Sequence, residues 1–313
     1  MTRVAILDDY QGVGESLGDW SGLDVTTFRD HLAGEDAVAE RLAPFDVVVA
    51  MRERTPFPRT LLERLPRLRL LVTTGMRNAS IDVAAARELG IVVSGTGGSG
   101  PSTPELTWGL VLAVARGIPR QDASVRAGGW QVGLGTELAG KTLGVLGLGR
   151  IGSQVARYGL AFGMDVVAWS QNLTLGRAES VGARLVDRGE LFAEADVLTI
   201  HLVLSQRTRG LVGARELGLM KPSAFLVNTS RGPIVDEGAL AAALDRGAIA
   251  GAALDVFDEE PLPPEHPFRR LDNVVVTPHV GYVTQESYRV FYREAAEDVH
   301  AFLAGTPIRV VEP

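Results

Sequence analysis

Leu143-Gly144-Val145-Leu146-Gly147-Leu148-Gly149-Arg150-Ile151-Gly152 decides the fold. A short apolar run ends in G-x-G-x-x-G, and a stretch of helical character, 153–162, follows. A dinucleotide site asks for glycine at these three places. Gly147 permits a tight turn, Gly149 lets backbone approach a pyrophosphate, and Gly152 lets helix and strand pack closely. The helix N-terminus then faces the phosphates with free N–H donors and a positive dipole end, and Arg150 and Ile151 within the motif are candidate cofactor contacts. Glycines alone also mark ordinary turns. The context favours the dinucleotide reading, because Asp165-Val166-Val167-Ala168-Trp169 forms a second strand signal directly after the helix, which makes the unit βαβ.

Outward from that unit, short apolar runs alternate with helical spacing almost throughout. Runs at 4–7, 47–50, 70–73 and 91–93 read as strands, with helices at 37–42, 59–65 and 83–89 between them. After the glycine motif, strands are expected at 183–186, 197–200, 224–228, 249–254 and 274–277, and helices at 188–193, 214–219 and 237–246. The alternation predicts an α/β chain of two parallel-sheet domains, Rossmann-like and flavodoxin-like, with a cleft between them. The junction is helical. Ser102-x-x-Glu105 fits a capping box, Pro104 suits a first turn, and 106–118 would follow as a buried helix. A long helix over 284–303 closes the chain. If it packs back on the first series, that domain is discontinuous: 1–100 plus 284–313, with 101–283 as the dinucleotide-binding domain.

Composition narrows the function. Of the 313 residues, 46% are hydrophobic and 22% charged, which suits a packed globular enzyme. The net charge of −7, with no long basic block, argues against nucleic acid. The absence of cysteine excludes disulfides, thiolate catalysis and Cys-ligated metals, and no metal site is expected. Acid interrupts the N-terminal apolar run at Asp8, too early for a signal peptide, and no apolar run is long enough to span a bilayer. A cytoplasmic protein is the expectation.

Four segments at strand ends carry chemical groups. In Asn228-Thr229-Ser230-Arg231-Gly232 the planar fork of Arg231 suits a carboxylate, although any single arginine is more often a surface charge. In Gly251-Ala252-Ala253-Leu254-Asp255-Val256-Phe257, Asp255 stands at the C-terminal end of the 249–254 strand, on the edge that faces the ligand crevice in an open parallel sheet. Glu259-Glu260-Pro261 follows, and then Thr277-Pro278-His279-Val280-Gly281. There are five histidines, and only His279 directly follows a core strand with a glycine nearby. A carboxylate beside such a histidine favours the imidazolium and orients the ring, making an acid for a carbonyl and a base for an alcohol. Glu260 is the candidate partner.

Together, Gly147–Gly152, the 228–232 segment, Leu254-Asp255-Val256-Phe257 with Glu260-Pro261, and Pro278-His279-Val280-Gly281 resemble the D-isomer-specific 2-hydroxyacid dehydrogenases, in order and spacing and over nearly the whole chain. The resemblance implies hydride transfer between a nicotinamide cofactor and a 2-oxo or 2-hydroxy acid. It implies Arg231 as binder of the substrate carboxylate and carbonyl oxygen, His279 as acid/base, and Glu260 as the group that tunes it. It implies that Asp255 meets the nicotinamide carboxamide. Thr103, Thr229 and Ser230, His201-Leu202-Val203 and Gly281 would line the cofactor site. Thr74-Gly75-Met76-Arg77-Asn78 looks like the substrate loop, with the amides near Gly75 and Met76 meeting the carboxylate. Arg52, with Arg54 and Arg77, is either a site for a second anionic group or a set of solvated charges.

Departures from the family pattern shape the rest. The second strand ends at Trp169-Ser170-Gln171-Asn172, without the acid that NAD-preferring members use on the ribose. Ser170 and Gln171, with Arg177 further on, point to NAD or NADP with a lean toward NADP. The chain ends after one helix, so the regulatory domain of long phosphoglycerate dehydrogenases is expected to be missing. Tyr282 stands where many members carry a smaller residue. Pro278 before the histidine argues against a formate dehydrogenase. A nucleotide-sensing, co-repressor-like binding module is the alternative function, and a degenerate site is a third. The resemblance also implies a homodimer, with the apolar helix over 106–115 as its face.

Overall fold

The computed structural model describes residues 1–313. It divides into two compact units, Met1–Gly100 with Val283–Pro313, and Pro101–Tyr282.

The first unit is built on strands β1 (Arg3–Ile6), β2 (Asp24–Thr27), β3 (Val47–Ala50), β4 (Leu70–Thr73) and β5 (Val92–Gly95). They form one parallel sheet in the order β2-β1-β3-β4-β5, the flavodoxin-like order. All four residues of β3 and of β4 are buried, as a sheet covered on both faces requires. The helix Gln285–Leu303 belongs to this unit and packs on β4 and β5. Tyr288, Phe291, Tyr292, Ala295, Ala296 and Val299 are its buried face, at helical spacing. Past it, Val310 bridges Ser94 antiparallel and covers the β5 edge.

The second unit carries β6 (Thr142–Leu146), β7 (Asp165–Trp169), β8 (Arg184–Leu185), β9 (Val197–Ile200), β10 (Phe225–Asn228), β11 (Gly251–Leu254) and β12 (Val274–Val276). Their order is β12-β11-β10-β9-β6-β7-β8, all parallel. The direction of progression reverses between β6 and β9, the switch point at which such sheets bind ligands. Alternate residues feed two cores, as a pleated strand dictates. Leu146, Leu226, Ala252 and Leu254 face one layer with Phe192 and Leu240. Leu143, Val145, Val227 and Ala253 face the other with Trp108, Val111 and Val155.

One local expectation fails. The junction helix runs Ser102–Arg116, with Pro101 as its N-cap and no side-chain cap, so Ser102 lies inside the helix and the capping box does not form. Gly117, at a φ of 61°, ends it, and a second helix covers Ile118–Arg126. The helix has one buried side, while Leu106, Leu112, Ala113 and Val114 are only half-buried. Trp108, Leu110, Val111 and Ala115 are buried within their own unit, against the helix Arg150–Ala161 and strands β10 to β12. Each large side chain so buried contributes about 1.5–3 kcal/mol. The exposed apolar residues lie further on, at Ile118, Val125, Trp130 and Leu134.

Candidate active site

The glycine loop sits where β6 gives way to the helix Arg150–Ala161. Gly147 has a φ of 105°, and a Cβ there would lie 2.7 Å from the His201 carbonyl oxygen. A Cβ on Gly152 would collide with the Gly147 carbonyl, whereas one on Gly149 would meet nothing within 4 Å. Two glycines are therefore demanded by the chain itself and the middle one by open space, as a backbone that receives a phosphate requires. The helix has Gly149 as its N-cap and no capping side chain, so its first-turn N–H groups suit an anion. These residues fit a dinucleotide.

Neighbouring strand ends join the loop. Gly147 N–H donates to Trp169 O (2.9 Å) and His201 N–H to Leu146 O (2.8 Å). Ser170 thus follows a strand end tied to the glycine turn. Ser230 Oγ donates to Leu202 O at 3.0 Å. Val203 is 80% exposed beside it. Burial pushes the His201 imidazole down to about 3, so it is neutral at working pH. Thr229 Oγ1 pairs with Thr107 Oγ1 at 2.7 Å, and Thr103 Oγ1 donates to Gly281 O at 3.0 Å.

His279 is held by the segments that follow two strands, β11 and β12. Its Nδ1 lies 2.6 Å from Glu260 Oε2, and Glu260 Oε1 accepts the Phe257 N–H at 2.9 Å, so both carboxylate oxygens are engaged. His279 has a φ of 53°, a left-handed conformation that costs a non-glycine residue on the order of 1 kcal/mol or more. Asp255 bonds to the chain on either side of His279. Its Oδ1 accepts Thr277 Oγ1 (2.6 Å) and Val280 N–H (2.8 Å), and its Oδ2 accepts Gly281 N–H (2.9 Å). The loop is clamped on both sides of the histidine. Burial raises the Asp255 carboxyl, opposed by those hydrogen bonds and by His279. The Tyr282 ring stands at 72° to the imidazole, with centroids 5.5 Å apart.

Arg231 follows β10. Its Nη1 donates to Ser230 O (2.7 Å), and its carbonyl accepts Asn228 Nδ2 (3.0 Å). Gly232 next to it has no room for a side chain, because a Cβ would overlap the Phe257–Asp258 peptide. The segments bearing Arg231 and Glu260 are therefore packed backbone to backbone.

In the first unit, Arg52 (φ 52°) donates from Nη1 to Thr74 O at 3.1 Å, and its guanidinium occupies the space a Cβ on Gly75 would need. The Gly75 N–H is already given to Thr96 Oγ1 at 3.0 Å, so of the two expected amides it is not the one left for a ligand. Met76 is exposed.

Sequence reasoning missed Thr107, Thr277 and Glu237, all of which touch these segments. Thr277 was within reach, since it lies two residues before His279 on a strand end.

Residues 108–281 match the family model described as "D-isomer specific 2-hydroxyacid dehydrogenase, NAD binding domain". A glyoxylate reductase of Aeropyrum pernix is 46% identical over 255 residues, 78% of this chain and 76% of that protein. A D-3-phosphoglycerate dehydrogenase of Methanocaldococcus jannaschii is 42% identical over 275 residues, 87% of this chain but 52% of that protein, so the chain spans about half of that relative. A crystal structure of a phosphoglycerate oxidoreductase from Vibrio cholerae superposes with a TM-score of 0.94 at 40% identity, covering 98% of this chain and 100% of that one. The chain belongs to the D-isomer-specific 2-hydroxyacid dehydrogenase family. It is an oxidoreductase that moves a hydride between NAD(P)H and 2-oxo or D-2-hydroxy acids. No helix is long and apolar enough to cross a membrane.

Proposed function

We propose that this chain reduces a small 2-oxo acid such as glyoxylate or hydroxypyruvate, with His279 as the proton donor, Glu260 as its partner and Arg231 as the carboxylate binder. The observation that carries the reading is the 2.6 Å contact between His279 Nδ1 and Glu260 Oε2 on a loop clamped by Asp255. A bound nicotinamide supplies or accepts the hydride. Glu260 holds the proton at Nδ1 and fixes the ring, which leaves Nε2 to give its proton to the substrate oxygen in reduction and to take it back in oxidation. Arg231 orients the carboxylate and draws charge from the carbonyl oxygen. Asp255 has one lone-pair site left on Oδ2, which suits a donor amide such as the nicotinamide carboxamide. Gly147, Gly149, Arg150, Ile151 and Gly152 hold the pyrophosphate, and Thr103, Thr229, Ser230, Gly281 and residues 201–203 line the rest. In the first unit, Arg52, Gly75 and Met76 are assigned to substrate binding. A panel of glyoxylate, hydroxypyruvate, phosphohydroxypyruvate, pyruvate and phenylpyruvate with both cofactors tests the substrate; the small acids are expected to give the highest kcat/KM, and a strict preference for phosphohydroxypyruvate would overturn this choice.

The cofactor reading leans to NADP. Ser170 is neutral, Gln171 and Asn172 are exposed, and Arg177 Nη2 reaches Ser153 Oγ at 3.2 Å in the first turns of the glycine-loop helix. A guanidinium there favours a 2′-phosphate. Ser170→Asp is expected to lower kcat/KM with NADPH by about tenfold or more, the equivalent of about 1.4 kcal/mol, and to leave NADH use nearly unchanged. A parent enzyme already strongly selective for NADH would contradict the lean.

The chain is proposed to work as a homodimer. The support is the apolar helix over 106–115, where Leu106, Leu112, Ala113 and Val114 stay half-exposed, with Ile118 (51%), Val125 (54%), Trp130 (73%) and Leu134 (98%) exposed further along the chain. Light scattering at micromolar protein is expected to give twice the 33.4 kDa chain mass; the monomer mass would refute it.

A further inference from the structure

We infer that Glu237 is a positioning residue for proton transfer, a latch that holds the turn bearing Glu260. The inference rests on the reading of His279 and Glu260 as the proton-transfer pair. Glu237 is the first residue of the helix Glu237–Asp245, but it is not the cap. Asp236 does that work, accepting the Ala239 N–H at 2.9 Å. The Glu237 carboxylate is turned to another segment. Its Oε1 accepts the Asp258 N–H at 2.8 Å, and its Oε2 lies 3.2 Å from His266 Nε2. Both side chains are mostly buried, at 16% exposure each. Asp258 is two residues before Glu260, and the preceding amide, Phe257 N–H, is taken by Glu260 itself. Consecutive amides of one turn are thus held by two carboxylates, Glu237 from outside and Glu260 from within.

The other side of the turn rests on Gly232, which leaves no space between it and the backbone after Arg231. The turn is therefore pinned from both sides, and the 2.6 Å contact to His279 follows from where it is pinned. Like charge opposes the arrangement. Burial, with Glu237 and Asp236 nearby, raises the Asp258 carboxyl, and Arg209 opposes the shift. Around His279 itself stand Glu260, Asp255 and the ring of Tyr282, so Glu237 acts only through the turn.

The test uses Glu237→Ala, Glu237→Asp, Glu237→Gln, Glu260→Gln and the double variant Glu237→Ala/Glu260→Gln, assayed for glyoxylate reduction across pH, with thermal unfolding alongside. Glu237→Ala is expected to lower kcat by about tenfold, the scale of a modest misplacement, with KM for the cofactor within about twofold. Its pH profile should change in the same way as that of Glu260→Gln, because both substitutions act on the one His279–Glu260 contact. Glu237→Gln can still accept the Asp258 N–H and should recover most of the rate. Glu237→Asp, which keeps the charge but is one methylene short, should lose part of it, and it serves if the alanine variant does not fold. In the Glu260→Gln background, Glu237→Ala should cost less than about twofold more, since residues acting as a unit are not additive. Losses that multiply in the double variant, or a Glu237→Asp enzyme with the parent's rate and pH profile, would overturn the inference. If Glu260→Gln alone leaves rate and profile unchanged, the proton-transfer reading fails instead.

Discussion

His279→Ala is expected to lower kcat for 2-oxo acid reduction on the order of 10²–10⁴-fold, the share of a positioned general acid. Cofactor binding should be unaffected, because the glycine loop and the β7 end lie elsewhere on the sheet. The fold should survive as well. The 277–281 loop is held by Asp255 through Thr277 Oγ1, Val280 N–H and Gly281 N–H, none of which involves the imidazole. Removing the ring also relieves no strain, since alanine at a φ of 53° is as constrained as histidine. Steady-state kinetics with a fixed cofactor, beside thermal unfolding, checks both halves. A variant with near-normal turnover would remove His279 from the chemistry.

Arg231→Ala is the second large effect. A buried or half-buried cation that pairs with a carboxylate costs about 2–5 kcal/mol when truncated. The corresponding loss in kcat/KM is about 30- to 4,000-fold. Both KM and kcat should suffer, because the same fork holds the carboxylate in the ground state and draws charge from the carbonyl oxygen as hydride arrives. Arg231→Lys should recover little, since an ammonium lacks the planar fork. The backbone contacts of this segment, Asn228 Nδ2 to Arg231 O and Gly232 against the 257–258 peptide, do not depend on the guanidinium. A loss confined to KM would mean uniform binding and would contradict a role in the chemical step.

Most of the parallel architecture is legible in the sequence because buried parallel strands are written as short continuous apolar runs. Val47–Ala50 and Leu70–Thr73 announce themselves in this way. β2, Asp24–Thr27, does not. It is an edge strand whose residues are half-exposed or exposed, so it carries no apolar run. Ser102 matches a capping box in letters, but the helix begins one residue earlier than that pattern needs. The grouping of Glu260 with His279 was readable from residue type and strand-end position. Asp255 was readable as a strand-end acid; its grip on the histidine loop was not, because two of its three bonds go to backbone amides that have no residue identity. Glu237 was invisible for a different reason. Its partners lie 21 and 29 residues on, at Asp258 and His266, joined only when the turn folds over the helix.

The measurement closest to the central claim is the product itself. The purified chain is incubated with hydroxypyruvate and reduced cofactor, and glycerate is resolved by chirality while nicotinamide oxidation is followed. One D-glycerate per cofactor oxidised, falling with His279→Ala on the order of 10²-fold or more, is the predicted result. No cofactor oxidation with any 2-oxo acid of the panel, or glycerate of the L configuration, would contradict it.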